Sequence, residues 1–236
     1  MKLNIVIPCY NEKRYIIGVV NRILKIKLGK IKKEIILVDD GSVDGTKNLI
    51  QKYLKNKIYK IIFHRQNRGK GAAIRSAIPF LNGDIVLIQD ADYEYNPADY
   101  KKLINPIINQ KALVVYGSRT LKKKRYLTNG FISFTRIFFN HCLTVISNIL
   151  NNQRLTDAHT CYKVFKKSVF LKLNLSEDDF AFCPEVTTKI SKMKIKILEV
   201  PISYNGRNKQ EGKKINMFDG LRALYVLIKY RFSAIK

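Results

Sequence analysis

The amino-acid sequence predicts an α/β protein whose central, mostly parallel sheet carries helices on both faces. Short apolar runs, such as EIILV and DIVLI, are typical of strands that are buried on both faces. Segments with apolar residues at helical spacing alternate with these runs along the chain. Such alternation indicates a parallel sheet, because each helix carries the chain back to the start of the next strand.

Five strands and four helices are predicted in the first half of the chain. The strands are KLNIVIPCY, EIILVDD, YKIIFHR, DIVLIQD and ALVVYGSR. Helices are expected over 12–28, 43–54 and 68–81, and a fourth begins at Pro97, a residue favoured in the first turn of a helix. Asp44 lies in the first turn of the second predicted helix and is expected to cap the helix start.

Length and composition indicate one domain spanning 1–236. A chain of 236 residues with 46% hydrophobic residues can bury roughly 70% of its unfolded surface. We see no Pro/Gly/Ser-rich linker and no internal repeat. The four cysteines form no C-x-x-C pair, which favours reduced thiols, and the N-terminus does not have the pattern of a signal peptide.

The chain carries a large positive charge. Its 44 Lys and Arg against 18 Asp and Glu give a formal net charge of +26. Nucleic acid, an anionic membrane surface and phosphorylated substrates would each favour this charge. A lysine-rich composition spread over a solvated surface explains the excess equally well, because the charges form no single block.

Polar residues cluster where four of the predicted strands end. The clusters are Pro8-Cys9-Tyr10-Asn11-Glu12, Asp39-Asp40-Gly41-Ser42, Asp90-Ala91-Asp92 and Gly117-Ser118-Arg119. Open α/β sheets bind ligands at the carboxyl ends of their strands, which share one edge. One acidic strand end could be only a helix cap, but three along one rim predict a binding site.

Asp90 and Asp92 form a D-x-D motif directly after a buried strand. In an extended segment the two carboxylates project to the same side, about 7 Å apart, and Glu94 continues the alternation. Such oxygen ligands suit a hard divalent cation that leaves positions open for substrate phosphates. The alternative is turn chemistry, since Asp is common in loops that follow strands.

The segment NRGKGAA, residues 67–73, places glycines at a predicted helix start, where they could cradle a phosphate. Lys70 within it could face a diphosphate. The spacing fits neither G-x-x-x-x-G-K-[ST] nor G-x-G-x-x-G, so a P-loop kinase and a dinucleotide-dependent dehydrogenase are disfavoured.

The ordered segments IVIPCYNE, VDDGSVDGT, NRGKGAA and LIQDADYEYNP resemble the motifs of family-2 glycosyltransferases with the GT-A fold, a Rossmann-like sandwich. LTDAHTCYKVFKK, FCPEVTTKI and VPISYNGRNKQEGKK extend the resemblance to the dolichyl- or polyprenyl-phosphate mannosyltransferase branch. The resemblance spans about residues 3 to 231. It implies a nucleotide-sugar-binding half, 1–119, and an acceptor half, 120–236, with amphipathic helices.

The resemblance also implies roles for the matched residues. The nucleotide sugar would be bound by Pro8, Tyr10, Glu12, Val38, Asp40, Lys70, Asp90, Ala91 and Asp92. Magnesium or manganese would be held by Asp90, Asp92 and Glu94, the last of which is often Gln in the family. Acceptor and donor phosphates would meet Arg119, Arg207 and Lys213. The candidate catalytic residues are Asp92, Arg119 and Asp157.

The implied reaction is inverting transfer of a hexose from a donor of the GDP-mannose or UDP-glucose type to a polyprenyl phosphate. Negative charge that develops on the leaving phosphate would be stabilised by the cation and Arg119. A lipid phosphate is already anionic, because the second pKa of comparable monoesters is about 6. It needs cations rather than a base, and Arg207, Lys213, Lys214 and LKKKR (121–125) supply candidates.

Two alternatives stay open. A sugar hydroxyl of a cell-envelope polysaccharide would need a base, for which Asp157 is the candidate, with His159 as a possible hydrogen-bond partner. A cap or turn role for Asp157 has equal weight. A basic nucleic-acid-binding protein would explain the charge, but carboxylates at three strand ends would repel a phosphate backbone.

Two apolar segments indicate contact with a membrane surface. FISFTRIFFNHCLTVISNIL (131–150) is interrupted by polar residues, and GLRALYVLIKYRF (220–232) is similar, so neither is expected to span a bilayer. They fit amphipathic helices at an interface, or equally helices packed on the core or at a dimer contact. We predict a peripheral cytoplasmic enzyme at the inner membrane face.

Overall fold

The computed structural model describes residues 1–121, 131–207 and 217–233. Within these residues seven strands form one sheet in the order β3-β2-β1-β4-β6-β5-β7. The strands are β1 Lys2–Cys9, β2 Lys32–Asp39, β3 Lys60–Phe63, β4 Ile85–Ile88, β5 Val114–Ser118, β6 Lys163–Lys166 and β7 Ile197–Pro201. All strand pairs are parallel except those made by β6, so the predicted mostly parallel sheet is confirmed.

Eight α-helices are described. They are α1 Ile16–Lys25, α2 Thr46–Tyr53, α3 Lys70–Ala77, α4 Tyr100–Ile108, α5 Phe131–Asn151, α6 Lys167–Lys172, α7 Phe182–Lys192 and α8 Met217–Phe232. Short 3₁₀ turns continue α3 over Ile78–Phe80 and precede α4 over Pro97–Asp99. Gly45 is the N-cap residue of α2, so Asp44 is not the cap that was predicted; its Oδ1 accepts the backbone N–H of Thr46 at 3.0 Å in the turn just before the helix.

The strand order reverses beside β1. The chain moves outward from β1 to β2 and β3, then returns through α3 to β4 on the other side of β1. Right-handed crossovers therefore place α1 and α2 on one face of the sheet and α3 on the other. The crevice at the carboxyl ends of β1 and β4 is the position at which such sheets bind ligands.

Strands β6 and β7, which the sequence reading does not identify, come from the second half of the chain. β6 lies antiparallel between β4 and β5, and β7 extends the sheet beyond β5. The loop before β6 therefore lies beside the ends of the central strands. Residues 202–207 follow β7 to the same edge, where Tyr95 and Tyr204 form an isolated bridge.

A buried lysine fixes the loop that precedes β6. Lys163 is fully buried, and its Nζ donates hydrogen bonds to the carbonyl oxygens of Ala158 at 3.0 Å and Thr160 at 2.5 Å. Its ammonium lies 4.2 Å from the centroid of the Tyr116 ring. Burial lowers the pKa of Lys163. The lysine thus holds residues 157–161, called the β6 loop below, against the sheet.

None of the described helices combines the length and the apolar character that crossing a bilayer requires.

Candidate active site

The ends of four strands bring the predicted rim together. Glu12 follows β1, Asp90 and Asp92 follow β4, and Arg119 follows β5. Arg207 reaches the same edge from the segment after β7. Acidic groups from the ends of β1 and β4 therefore meet as predicted, together with cations of the chain itself, whereas Asp40 at the end of β2 contacts the loop before α3.

Arg207 lies at the centre of the acidic cluster. Its Nη2 donates to Asp92 Oδ2 at 2.5 Å, and its Nη1 donates to Glu12 Oε2 at 3.0 Å. Its backbone N–H donates to Glu94 Oε1 at 2.6 Å. The Arg207 side chain is 14% exposed, and those of Glu12 and Asp92 are 7% and 6% exposed. One guanidinium thus compensates buried carboxylates from two strand ends.

The environment of Asp92 disfavours its negative charge. Burial is the main cause, and repulsion from Asp90 and Glu94 adds to it, while Arg207 opposes it. Together these effects raise the pKa of Asp92 to about 7. A further cation at this position would relieve the crowding of negative charge.

Asp90 faces a different cation. Lys70 Nζ donates to Asp90 Oδ1 at 2.6 Å and approaches the Cys161 sulfur at 3.4 Å. Burial acts to lower the pKa of Lys70, but the Asp90 carboxylate outweighs it and raises that pKa. Lys70, which was predicted to face a diphosphate, therefore lies at the acidic rim and pairs there with Asp90.

The glycines of NRGKGAA serve close packing. Ala72, in the first turn of α3, donates its backbone N–H to the Asp178 carbonyl oxygen at 3.0 Å. A Cβ added to Gly71 would lie 2.1 Å from the Glu177 carbonyl oxygen, and one added to Gly69 would lie 2.3 Å from that of Asp178. Backbone of residues 177–178 thus occupies the helix start that was expected to cradle a phosphate.

Asp40 supports the loop between β3 and α3. Its carboxylate accepts the backbone N–H groups of Arg68 at 3.0 Å and Gly69 at 2.8 Å. His64 Nδ1 lies 2.6 Å from Asp40 Oδ1, and His64 Nε2 lies 2.8 Å from Ser76 Oγ. Asp40, predicted to bind the nucleotide, therefore makes several contacts within the protein.

The other residues predicted to bind the nucleotide differ in exposure. Pro8 and Tyr10 are half-buried at the end of β1, and Ala91 is buried between the two carboxylates of the motif. Val38 is fully buried in β2, with its side chain in the hydrophobic core. Contact between Val38 and a ligand would have to use its backbone.

Arg119 and Asp157 form a bidentate ion pair. Arg119 Nε donates to Asp157 Oδ2 at 2.6 Å, and Nη2 donates to Oδ1 at 2.8 Å. The backbone N–H of Arg119 also donates to Oδ2, at 3.1 Å. Burial acts to raise the pKa of Asp157, but Arg119 outweighs it and lowers that pKa. A carboxylate held in this way is a weak proton acceptor.

His159 lies in the β6 loop without the predicted bond to Asp157. Its Nε2 is buried and has no hydrogen-bond partner among the described residues. Burial and the nearby Lys163 ammonium lower the pKa of His159 to about 4, so its imidazole is neutral.

Two supporting residues were not identified from the sequence. Glu199 in β7 accepts the backbone N–H groups of Thr156 at 2.7 Å and Asp157 at 2.9 Å. Tyr204 donates its hydroxyl to Glu94 Oε2 at 3.0 Å, and its ring lies 5.0 Å from the Arg119 guanidinium. Glu199 had a visible signal, because it is the charged residue within the apolar run ILEVP.

The donor set fits a divalent cation that arrives with a diphosphate. Within 1–121, 131–207 and 217–233, no three His, Cys, Asp or Glu side chains are grouped as a ready metal site. Asp90 faces Lys70, whereas Asp92 and Glu12 face Arg207. Mg²⁺ commonly uses one or two carboxylates and takes its remaining ligands from water and substrate phosphates. The Arg207 guanidinium marks a position where these carboxylates favour positive charge.

Several predicted cations lie outside the described residues. They are Lys213, Lys214 and residues 122–125 of the basic segment LKKKR.

Helix α8 has an exposed apolar stripe. Its members follow one another at spacings of three and four residues, and they are Phe218, Leu221, Tyr225, Ile228 and Phe232. Phe218 and Phe232 are 73% and 77% exposed. Helix α5 also exposes Phe138, Phe139, Val145 and Ile149. The opposite side of α8 is buried through Ala223, Val226 and Leu227.

The chain is similar along most of its length to two enzymes named as transferases of sugars to dolichyl phosphate. The chain is 28% identical over 249 residues to the UDP-N-acetylglucosamine--dolichyl-phosphate N-acetylglucosaminyltransferase of Methanococcus voltae, covering 98% of this chain and 96% of that one. It is 30% identical over 226 residues to the dolichyl-phosphate beta-glucosyltransferase of Saccharomyces cerevisiae, covering 86% of this chain and 66% of that one.

The fold is similar to that of glucosyl-3-phosphoglycerate synthase from Mycobacterium tuberculosis in complex with Mn²⁺, UDP and glucosyl-3-phosphoglycerate. The TM-score is 0.68 at 15% identity, covering 97% of this chain and 79% of that one. Residues 4–173 match the family model described as Glycosyl transferase family 2, which is well over half of the sequence. The chain therefore belongs to glycosyl transferase family 2.

Proposed function

We propose that this chain is an inverting glycosyltransferase that moves a hexose from a nucleotide diphosphate sugar to a polyprenyl phosphate. Two relatives are named as transferases of sugars to dolichyl phosphate, and both are similar along most of this chain. Their names give different sugars, so the donor is assigned by class, as GDP-mannose or UDP-glucose type.

The observation that carries the proposal is the Arg119–Asp157 ion pair. A sugar hydroxyl loses a proton as it attacks, so its transferase needs a positioned base. Asp157, the candidate base, is bound through both carboxylate oxygens by Arg119, which lowers its pKa. A phosphate monoester is anionic at neutral pH and attacks without a base. The ion pair therefore favours a lipid phosphate as the acceptor. In that case Asp157 orients Arg119.

We further propose that Mg²⁺ or Mn²⁺ binds with the donor. Asp92, with Glu94 and Asp90 as further oxygen donors, would hold the ion, which when bound would neutralise charge on the diphosphate. The protein of similar fold was crystallised with Mn²⁺ and UDP. Lys70 and Arg207, which now pair with Asp90 and Asp92, would then be available to phosphate oxygens.

The test of function is transfer of labelled sugar into an organic phase. The purified chain is incubated with Mn²⁺ and with GDP-mannose, UDP-glucose or UDP-N-acetylglucosamine, with and without a polyprenyl phosphate. We expect extractable label only when the lipid phosphate is present. Label in a water-soluble polysaccharide fraction instead would overturn the proposed acceptor and support transfer to a sugar hydroxyl.

Matched variants in this assay distinguish the loss of a carboxylate at the proposed site from general loss of folded protein. Asp92→Asn is expected to abolish transfer, because the carboxylate lies in the proposed donor site. Asp84→Asn is the control, since Asp84 is exposed at the opposite end of β4 and its Oδ2 accepts the backbone N–H of Lys2. Salt-sensitive nucleic-acid binding that survives Asp92→Asn, without transfer, would favour a nucleic-acid-binding protein.

We also propose that α8 lies on an anionic membrane surface, with the protein peripheral at the inner face. The stripe from Phe218 to Phe232 is bordered by the exposed cation Arg231 and by Arg222 and Lys229, which are exposed and also pair with Glu177. Cations beside an apolar stripe suit a surface of anionic lipid head groups over acyl chains. The net charge of +26 also favours binding to an anionic lipid surface.

Vesicle flotation tests this contact. We expect binding to vesicles that contain phosphatidylglycerol, weaker binding to pure phosphatidylcholine, and loss of binding in Phe218→Ser/Phe232→Ser. Val43→Ser is the control, because Val43 is an 83% exposed apolar residue on the loop between β2 and α2. Unchanged flotation of the double variant would overturn the proposal. A dimer in solution that the same variant dissociates would assign the stripe to a second copy of the chain.

A further inference from the structure

The ring of Tyr93 occupies a notch in helix α1. Tyr93 lies between Asp92 and Glu94 in the sequence, and its hydroxyl rests where α1 has Gly18. A Cβ added to Gly18 would lie 1.7 Å from Tyr93 Oη and 2.8 Å from its Cζ. Any residue other than glycine at this position would therefore displace the ring.

The backbone of α1 gives no other reason for a glycine at this position. Gly18 lies inside the helix, and it is not among the residues with positive φ. Glycine in a helix interior is less stable than alanine by up to about 1 kcal/mol. The space that Tyr93 fills is thus the structural reason for Gly18.

Arg22 of α1 and Tyr15, the N-cap residue of α1, complete the contact. The Tyr15 ring packs edge-on against the Tyr93 ring, with 5.3 Å between centroids. The Arg22 guanidinium lies 5.3 Å from the centre of the Tyr93 ring, and its Nη2 donates to Asn96 Oδ1 at 3.2 Å. Helix α1 thereby holds the segment after β4 at two points, Tyr93 and Asn96.

The turn that carries Tyr93 also carries the proposed metal-binding carboxylates. Asp92 Oδ1 accepts the backbone N–H of Glu94 at 2.9 Å, so the two acidic residues close a tight turn with Tyr93 at its tip. Asp92 and Glu94 are the sequence neighbours of Tyr93, so a shift of the Tyr93 backbone would move both carboxylates.

We propose that Gly18 and Tyr93 form a socket that positions Asp92 and Glu94 for a divalent cation. This inference rests on the metal dependence in the proposed function. Tyr93 and Gly18 are positioning residues, which act through the two carboxylates and do not contact the reacting atoms. Outer partners that orient metal ligands typically change metal affinity by about 10- to 100-fold when they are mutated.

The experiment measures Mn²⁺ binding by the loss of the free-ion electron paramagnetic resonance signal, with UDP or GDP present, against a blank that contains Mn²⁺ and the nucleotide without protein. We expect Gly18→Ala and Tyr93→Ala each to weaken Mn²⁺ binding about tenfold. The double variant should bind Mn²⁺ as Tyr93→Ala does, because without the ring the added methyl group has nothing to displace. Tyr93→Phe keeps the ring against α1 and should bind more tightly than Tyr93→Ala.

Gly220→Ala is the matched control, because Gly220 lies in α8 and an added Cβ would meet no described atom within 4 Å. It should leave Mn²⁺ binding unchanged.

Thermal unfolding of Gly18→Ala should show no loss of stability, since alanine favours the helix. Wild-type affinity in Gly18→Ala, or fully additive effects in the double variant, would overturn the socket. If the wild-type chain binds no Mn²⁺ even with UDP or GDP present, the metal dependence of the proposed function fails; where the wild-type chain does bind Mn²⁺, the variants decide the socket alone.

Discussion

Arg207 Nη2 donates a hydrogen bond to Asp92 Oδ2 at 2.5 Å, although the two residues are 115 positions apart in the sequence. Asp92 follows β4 in the first half of the chain, and Arg207 follows β7 near the end of the second. Their side chains are 6% and 14% exposed, so solvent screens the pair only weakly. The acidic rim and the segment after β7 therefore depend on each other for charge compensation.

Arg207→Met tests whether the guanidinium occupies the position of a cation. Its removal leaves buried, mutually repelling carboxylates, so we expect the free energy of unfolding to fall by about 3 kcal/mol without divalent ions. Added Mn²⁺ should then raise the melting temperature more in the variant than in the wild-type protein. Thermal unfolding with and without Mn²⁺ measures both effects.

Arg154→Met is the control for this experiment, because Arg154 is an exposed arginine in the loop before β6. It should unfold like the wild-type protein under both conditions. Equal Mn²⁺ shifts in Arg207→Met and in the wild-type protein would show that Arg207 does not stand in for the ion.

The acidic rim was predictable because strand ends are local features of the sequence. Buried strands of a parallel sheet must end at one edge, so Asp90, Asp92 and Arg119 could be brought together before any contact was known. Val38 ends an apolar run that is typical of a strand buried on both faces, so a core position for its side chain was also predictable. Fold class and the general location of the site follow from such local patterns.

The ion-pair partners could not be predicted in this way. The pairing of cations with carboxylates depends on where β6 inserts into the sheet and on the course of residues 202–207 after β7. β6 is only four residues long, and its sequence KVFK begins and ends with lysine, so it lacks the signal of a buried strand. Lys163 can be buried because carbonyl groups of the β6 loop accept hydrogen bonds from its ammonium, and these contacts depend on the tertiary structure.

Lys163→Met should loosen the β6 loop. Methionine matches the four-carbon part of the lysine side chain but cannot donate hydrogen bonds to the carbonyl groups of Ala158 and Thr160, which stay buried. We expect a loss of about 1–3 kcal/mol in the free energy of unfolding. Urea denaturation measures it. Lys166→Met, at the exposed end of the same strand, should change stability by no more than about 0.5 kcal/mol. A similar loss in both variants would mean that the loop contacts contribute nothing specific.

Gly71→Ala tests the close packing at the start of α3. The added methyl group would lie 2.1 Å from a backbone oxygen of residue 177, which cannot rotate away as a side chain could. We expect destabilisation of about 1–3 kcal/mol by chemical denaturation. Gly29→Asn serves for comparison, because Gly29 has φ of +64° with no described atom within 4 Å of an added Cβ, and asparagine tolerates this conformation. If Gly71→Ala proved as stable as the wild-type protein, residues 177–178 would not pack against α3 as described.

The Arg119–Asp157 pair should make stability depend on acid pH. The pKa of Asp157 is lowered in the folded protein, while an unfolded aspartate titrates at about 3.9. The stabilisation by the pair is therefore fully present above about pH 4 to 5, and it is lost as the pH falls through the lower folded-state pKa. Urea denaturation is measured from about pH 2.5 to about pH 6, which spans the usual aspartate pKa of about 3.9. As the pH falls, the free energy of unfolding should decrease less steeply in Asp157→Asn than in the wild-type protein.

Asp84→Asn is the control and should keep the wild-type slope, because that exposed carboxylate has no arginine partner of this kind among the described residues. An unchanged slope in Asp157→Asn would mean that the carboxylate is not held by Arg119 in solution, and it would return Asp157 to consideration as a base.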